Sequence, residues 1–249
     1  MKNERLIHFI IMTFIITGIA WGGLAIATKL KIIAFSDPLG TFLHIIGGFG
    51  PTIATFFVME KPLTFQFIMD FVFQYKKSLV CFWILVMMEI LVIGISSMEL
   101  NKAIPGHLIP LVFFQAVFIY GGEEELGWRG IMQPLLEERF LFPIATFMTG
   151  IVWGIWHFPL WFVDGSSQQN MPFPFFLVLA VILSFWLASL YKKTQYVFAC
   201  SVFHGLTNTL LSIFVMQLNV ILLLGLIIMT SYSIYLWYET NHDLRRDEK

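Results

Sequence analysis

Charge is scarce in this chain. Only 12% of its 249 residues are Asp, Glu, Lys or Arg, about half the share found in soluble domains. The formal net charge of -1 gives no broad basic field, so nucleic acid is not expected as a partner. Cysteine is scarcer still: Cys81 and Cys200 both fall inside apolar runs. They read as packing residues rather than a disulfide, and they do not define a redox compartment. No internal repeat and no low-complexity tract divides the sequence, which reads as one transmembrane domain over 1–249. What fills the chain is apolar, at 58%. It comes in runs of about 20 residues between short polar breaks, as expected of membrane spans.

Eight such runs are expected to span, over 7–27, 41–59, 79–98, 107–135, 143–163, 173–191, 196–216 and 218–238. The expected fold class is therefore all-α: a multi-pass protein of the cell membrane with about eight helices. Lys2, Arg5 and the stretch Ala25-Ile26-Ala27 resemble parts of a secretion signal. The apolar stretch from Leu6 to Ala27, however, is about twice as long as a signal core, so the first span is expected to be retained. Between the spans, Lys61 to Lys77 carries Phe65, Phe67, Phe71 and Phe73 among polar residues, as an interfacial helix would. The stretch from Asp164 to Pro174 reads as a surface loop.

The basic residues suggest an orientation. With a cytoplasmic N-terminus, the inner side holds Lys2, Arg5, Lys61, Lys76, Lys77, Arg139, Lys192, Lys193, Arg245, Arg246 and Lys249. The outer side holds Lys29, Lys31 and Lys102. Eight spans also return the C-terminus to the inner side. Two pairs of glycines, Gly18 with Gly22 and Gly150 with Gly154, each put small residues on one helix face, where helices can approach closely in lipid.

Against this background three polar groups stand out, because an ionisable side chain at the centre of a span is costly, at about 2.5–3.5 kcal/mol on insertion scales. Residues 121–130 read Gly-Gly-Glu-Glu-Glu-Leu-Gly-Trp-Arg-Gly. Three adjacent carboxylates in a low dielectric resist ionising together. Arg129 follows Glu125 by four residues, so the two share a helix face and can pair. Glu124 sits about 100° away from Glu125 on a helix and can point elsewhere. The second group is Trp153-Gly-Ile-Trp-His157, within the fifth run. The third is His204-Gly-Leu-Thr-Asn208, whose i,i+4 spacing puts both side chains on one face of the seventh. Each taken alone has a structural reading: a polar loop at a helix end, a hydrogen-bonded core histidine, a packing clamp. Together they bring ionisable groups from three spans toward one intramembrane cavity, and intramembrane ionisable groups are by default functional.

Two chemistries suit Glu124, His157, His204 and Asn208. In one, a carboxylate beside an imidazole takes a proton from water while imidazole and amide N–H groups hold a developing oxyanion. In the other, Glu124, His157 and His204 ligate a divalent metal such as Zn²⁺ and leave a position open for water. The zinc-protease helix pattern His-Glu-x-x-His is absent.

The set Glu124-Glu125-x-x-x-Arg129, Trp153-x-x-x-His157 and His204-x-x-x-Asn208 resembles the CPBP family, the CAAX-processing and bacteriocin-processing group also called Abi, over residues 105–215. The resemblance implies a multi-helix fold with its active site in a membrane cavity. It implies Glu124 as the water-activating base with His157, His204 with Asn208 at the oxyanion, and Glu125 with Arg129 in support. Trp153 stands where Phe is common in the family, and the extra Glu123 leaves open which carboxylate is the base. Within the family both metal-dependent and metal-free glutamate mechanisms are argued, so the metal stays open.

The function expected from these features is hydrolysis of a membrane-associated, hydrophobic or lipidated peptide, with peptide maturation or self-immunity to bacteriocins as natural roles. Two alternatives belong to other classes. One is a non-catalytic membrane scaffold or regulator. The other is a small transporter using buried carboxylates as a proton relay, although no inverted repeat with broken helices in matched halves is visible. Glu89, in the middle of the third run, is expected either to line the cavity or to pair with Arg129. His8, His44, His107 and His242 have no partner visible in the sequence.

Overall fold

The structure is a computed structural model that describes residues 2–74, 77–97 and 99–247, with side chains described from residue 4 to residue 242 of these. Of the basic residues that suggest an orientation, Lys76 and Lys249 lie outside the described residues, as do the side chains of Lys2, Arg245 and Arg246.

The described residues are helical, joined by turns, with an isolated antiparallel bridge between Leu100 and Phe214. In chain order the helices are α1 (Lys2–Lys29), α2 (Pro38–Gly48), α3 (Gly50–Val58), α4 (Phe65–Phe73), α5 (Val80–Ser97), α6 (Ile109–Phe118), α7 (Glu125–Gly127), α8 (Gln133–Glu137), α9 (Phe142–Trp156), α10 (Phe173–Thr194), α11 (Val197–Ile213) and α12 (Val220–Asp247). Four of them are long and apolar enough to cross a membrane: α1, α5, α10 and α12. The pair α2 and α3 makes a fifth if its 44° bend is counted as one broken span. The chain is thus an all-α, multi-pass membrane protein. Among the described residues fewer than eight helices pass as uninterrupted spans: backbone breaks at Pro51, Gly121 and Pro159 interrupt three runs, and α11 has 17 residues.

Pro51 breaks the second run. A proline has no N–H for the carbonyl four residues earlier, which here belongs to Gly47. The Thr17 hydroxyl of α1 replaces that donor, at 2.7 Å from Gly47 O. Helix α1 comes this close because Gly47 and Gly50 have no side chains: a Cβ on Gly47 would lie 2.2 Å from the Trp21 ring, and one on Gly50 would lie 2.3 Å from Thr17 Oγ1. Thr17 Oγ1 also accepts the Trp156 indole N–H at 2.7 Å. One hydroxyl therefore ties α1 to α2 and to α9. Thr17→Val should lower stability by about 1–3 kcal/mol, the effect of leaving a buried polar group unsatisfied; a lower thermal midpoint in detergent checks it.

In the fourth run the helix continues through Pro134 to Glu137. Residues Trp128–Met132 form a π-turn ahead of the proline, a common way for a helix to absorb a proline or present a functional side chain. The same run is broken earlier at Gly121, described below. Pro159 ends the fifth run. Helix α9 stops at Trp156, His157 caps it, and the chain continues as a 3-10 turn over Phe158–Phe162. His157 therefore sits at a helix end rather than within a continuous span.

The helices fall into two compact units, one of residues 1–67 and 124–184, the other of 68–123 and 185–249. In the first unit, α1 packs on α2, α3 and the 158–162 turn, burying Phe9, Trp21 and Leu24. Gln133 clamps α8 to α9: its amide donates to Thr146 Oγ1 at 3.0 Å, and Thr149 Oγ1 donates to its carbonyl at 2.8 Å. Gly150 and Gly154 form a close-packing face, as expected, against Leu177, Ala180, Val181 and Ser184 of α10. Gly18 and Gly22 do not, since a Cβ at either position would meet nothing within 4 Å among the described residues. Lys29 at the end of α1 donates to Asp164, and this hydrogen bond holds the Asp164 carboxyl below its ordinary value.

In the second unit, α11 packs on α6 and α5, and α12 on α5. Gly205 lets α11 press against α6, where a Cβ would lie 2.5 Å from the Val117 side chain and 2.8 Å from its backbone N. Cys81 and Cys200 are both free thiols, buried as packing residues. The Lys61–Lys77 segment forms the short helix α4, with Phe65 well exposed.

Candidate active site

The three consecutive carboxylates have three different partners. Glu123, in the second unit, accepts the Gly121 N–H at 2.8 Å. Glu124 and Glu125 belong to the first unit. Glu125 pairs with Arg129 one turn later, with Nη1 at 3.2 Å and 3.1 Å from its two oxygens. Neither side chain of this pair is exposed, and the Arg129 guanidinium lies over the Trp153 ring at 5.5 Å. Removing one member of such a buried pair strands the other charge. Arg129→Met should therefore destabilise the fold by about 3–5 kcal/mol, read as loss of folded protein in detergent before any effect on chemistry.

Glu124 faces a different environment. Its Oε2 accepts the Trp153 indole N–H at 2.7 Å and a longer contact from the Trp128 indole at 3.4 Å. Its Oε1 lies 4.0 Å from His157 Nε2. Helical spacing explains the group: Trp128 is one turn after Glu124, and Trp153 is one turn before His157. The imidazole is oriented from its other side. His157 Nδ1 lies 2.9 Å from the Trp153 carbonyl. A carbonyl can only accept, so Nδ1 carries a proton and Nε2 is the atom turned to the carboxylate. The rings of Trp21, Trp153, Trp156 and Phe176 surround the imidazole. Glu124 is 5% and His157 9% exposed, which places a carboxylate and an imidazole in a buried aromatic setting.

The second unit holds the other pair. His204 and Asn208 lie one turn apart on α11 and both converge on Gly121. A Cβ there would lie 2.3 Å from Asn208 Nδ2 and 3.0 Å from His204 Nε2. Gly121 has φ +128°, a backbone conformation that side-chain-bearing residues rarely adopt. The Asn208 amide donates to Tyr120 O at 2.8 Å, which anchors α11 to the chain break. Helix α6 ends at Phe118, and a 3-10 turn over Gly122–Glu124 follows. The fourth run is broken here because Gly122 is wedged in as well: a Cβ on it would lie 2.4 Å from Val117 O and 2.5 Å from Ser201 O.

Glu89 does not pair with Arg129. It bonds Thr207 on α11 instead. Sequence reasoning missed Gly121 as the point of convergence and the indole groups of Trp153 and Trp128 as donors to Glu124. The Gly-Gly pair ahead of the carboxylates was the available signal for the first. Of the candidate metal ligands, Glu124 and His157 belong to the first unit and His204 to the second. No step below passes through a metal.

Part of the chain is similar to known proteins. Residues 106–210 match the family described as type II CAAX prenyl endopeptidase Rce1-like. That segment contains Glu124, Glu125, Arg129, His157, His204 and Asn208. A stretch of 63 residues is 38% identical to CAAX prenyl protease 2 of Methanococcus maripaludis, covering 25% of this chain and 22% of that protein. The chain thus aligns with about a fifth of the length of the curated relative it matches. Residues 106–210 are thus similar to the family of Rce1-like CAAX prenyl endopeptidases.

Proposed function

We propose that this chain is an intramembrane endopeptidase that hydrolyses a peptide bond in a membrane-associated, hydrophobic or lipidated peptide. The observation that carries the reading is the Glu124–His157 pair: a carboxylate fixed by an indole N–H, with its Oε1 4.0 Å from an oriented imidazole nitrogen. A water molecule at hydrogen-bond distance, about 2.8 Å, from both atoms fits between them. Glu124 takes its proton as general base and His157 orients it. The hydroxide adds to the scissile carbonyl carbon. The carbonyl oxygen becomes an oxyanion that accepts N–H groups from His204 and Asn208. The C–N bond then breaks as protonated Glu124 returns its proton to the leaving amine. Glu123 and Glu125 are occupied elsewhere, which supports Glu124 as the base.

The family match covers both pairs. The termini and the mouth of the site are assigned to the cytoplasmic side on the excess of Lys and Arg in the loops placed there. Maturation of secreted peptides or self-immunity to bacteriocins are roles that fit this chemistry.

The test is reconstitution in proteoliposomes with a hydrophobic peptide and a lipidated one, with a proton-flux dye in the lumen. Cleavage by the wild-type protein without flux supports the reading. Flux without cleavage overturns it in favour of a transporter, and neither activity overturns it in favour of a scaffold.

A further inference from the structure

One ionisable group in the membrane-spanning part has no place in the mechanism above. Glu89 lies in the middle of α5 and is 1% exposed. Its Oε1 is 2.5 Å from Thr207 Oγ1. Its Oε2 is buried with no hydrogen-bond partner, and among the described residues no cation pairs with it. A carboxylate buried this way, without a counter-charge and with one oxygen unsatisfied, is strongly disfavoured. The Thr207 hydroxyl adds a second constraint. It also lies 3.1 Å from Phe203 O, its own helix carbonyl one turn earlier. A hydroxyl has one proton to donate. With that proton on Phe203 O, the proton in the contact with Glu89 comes from the carboxyl.

We propose that Glu89 is a neutral carboxylic acid that donates to Thr207 and acts as the positioning residue for the His204–Asn208 pair. The inference rests on the reading of that pair as the oxyanion site. Thr207 adjoins Asn208 and lies three residues after His204, so its bond to α5 sets the rotation of α11 about its axis. That rotation decides whether both donor side chains point at Gly121, where a Cβ would lie 2.3 Å from Asn208 Nδ2 and 3.0 Å from His204 Nε2. Two anchors then fix the pair: Glu89 through Thr207, and Tyr120 O through Asn208. Glu89 touches no reacting atom in this arrangement. Its effect is on the placement of donors, where an error of about 1 Å can lower a rate by up to about 10²-fold.

Glu89→Gln and Glu89→Leu separate this role from simple packing. Gln keeps a neutral donor at the same reach, whereas Leu keeps much of the volume and loses the bond. The expected result in proteoliposomes is a kcat within about threefold of wild type for Glu89→Gln. Glu89→Leu should show about a tenfold fall in kcat with KM little changed. A difference infrared spectrum of wild type minus Glu89→Gln should show the carbonyl stretch of a protonated carboxyl. Carboxylate bands in that spectrum, or equal losses of kcat in Gln and Leu, overturn the proposal; so does full activity in Glu89→Leu. Asn208→Ala is measured alongside. Full activity in Asn208→Ala removes the oxyanion reading itself. Its loss together with an unaffected Glu89→Leu removes only the positioning role. If Glu89→Leu does not reach the membrane folded, Glu89→Gln and the infrared spectrum decide the matter.

Discussion

Glu124→Gln should leave the protein folded in the membrane and lower kcat by about 10²–10⁴-fold, the usual contribution of a general base. The fold survives because the Gln carbonyl still accepts the Trp153 indole N–H that Glu124 Oε2 accepts at 2.7 Å. The chemistry fails because an amide cannot take a proton from water opposite His157. Two neighbouring substitutions make the result specific. In Glu123→Gln the new amide oxygen still accepts the Gly121 N–H, held at 2.8 Å in the native protein, so activity should stay within a fewfold of wild type. In Glu125→Gln the buried pair with Arg129 is weakened, so the effect should follow the folded fraction. Single-turnover cleavage by the three variants, each normalised to folded protein, checks the assignment. A large loss in Glu123→Gln with normal cleavage by Glu124→Gln moves the base to Glu123.

Gly121→Ala is the second large effect. The residue has φ +128°, and a side chain held in such a region costs about 1–3 kcal/mol. The new methyl would also sit 2.3 Å from Asn208 Nδ2, far inside van der Waals contact. Either the amide swings away from Tyr120 O, or the backbone relaxes and moves the turn that leads into Glu124. The first outcome displaces a proposed oxyanion donor, whose loss lowers kcat by about 10²–10³-fold, and the second shifts the proposed base. Gly106→Ala is the control, because a Cβ there meets nothing within 4 Å; it should be close to neutral. Cleavage rates and thermal midpoints of both variants check the prediction.

How much of this was legible in the sequence depended on the kind of signal. Long apolar runs foretold α1, α5, α10 and α12, because a window of hydropathy reports composition over a whole span. The same sum is blind to backbone continuity. Pro51, Gly121 and Pro159 were in plain view, yet the runs around them read as continuous spans. The glycine pairs show the same limit. Gly150 and Gly154 meet α10, and among the described residues Gly18 and Gly22 have nothing within 4 Å of an added Cβ, although the spacing is identical, because the motif says only that a helix can approach. Spacing succeeded where both partners lie one turn apart on one helix: Glu125 with Arg129, Trp153 with His157, His204 with Asn208. It failed where partners are distant in the chain. The indole of Trp153 reaching Glu124, the hydroxyl of Thr17 serving Gly47 and Trp156, and Glu89 bonding Thr207 all arise from tertiary packing.

The central claim is that Glu124 and the His204–Asn208 pair act on one peptide bond. The direct measurement is a double-mutant cycle on kcat with Glu124→Gln, Asn208→Ala and the double variant. Residues that act as a unit are strongly non-additive. The account predicts that the double variant is scarcely slower than Glu124→Gln alone. Independent effects that multiply in the double variant, or wild-type rates in either single variant, would contradict it.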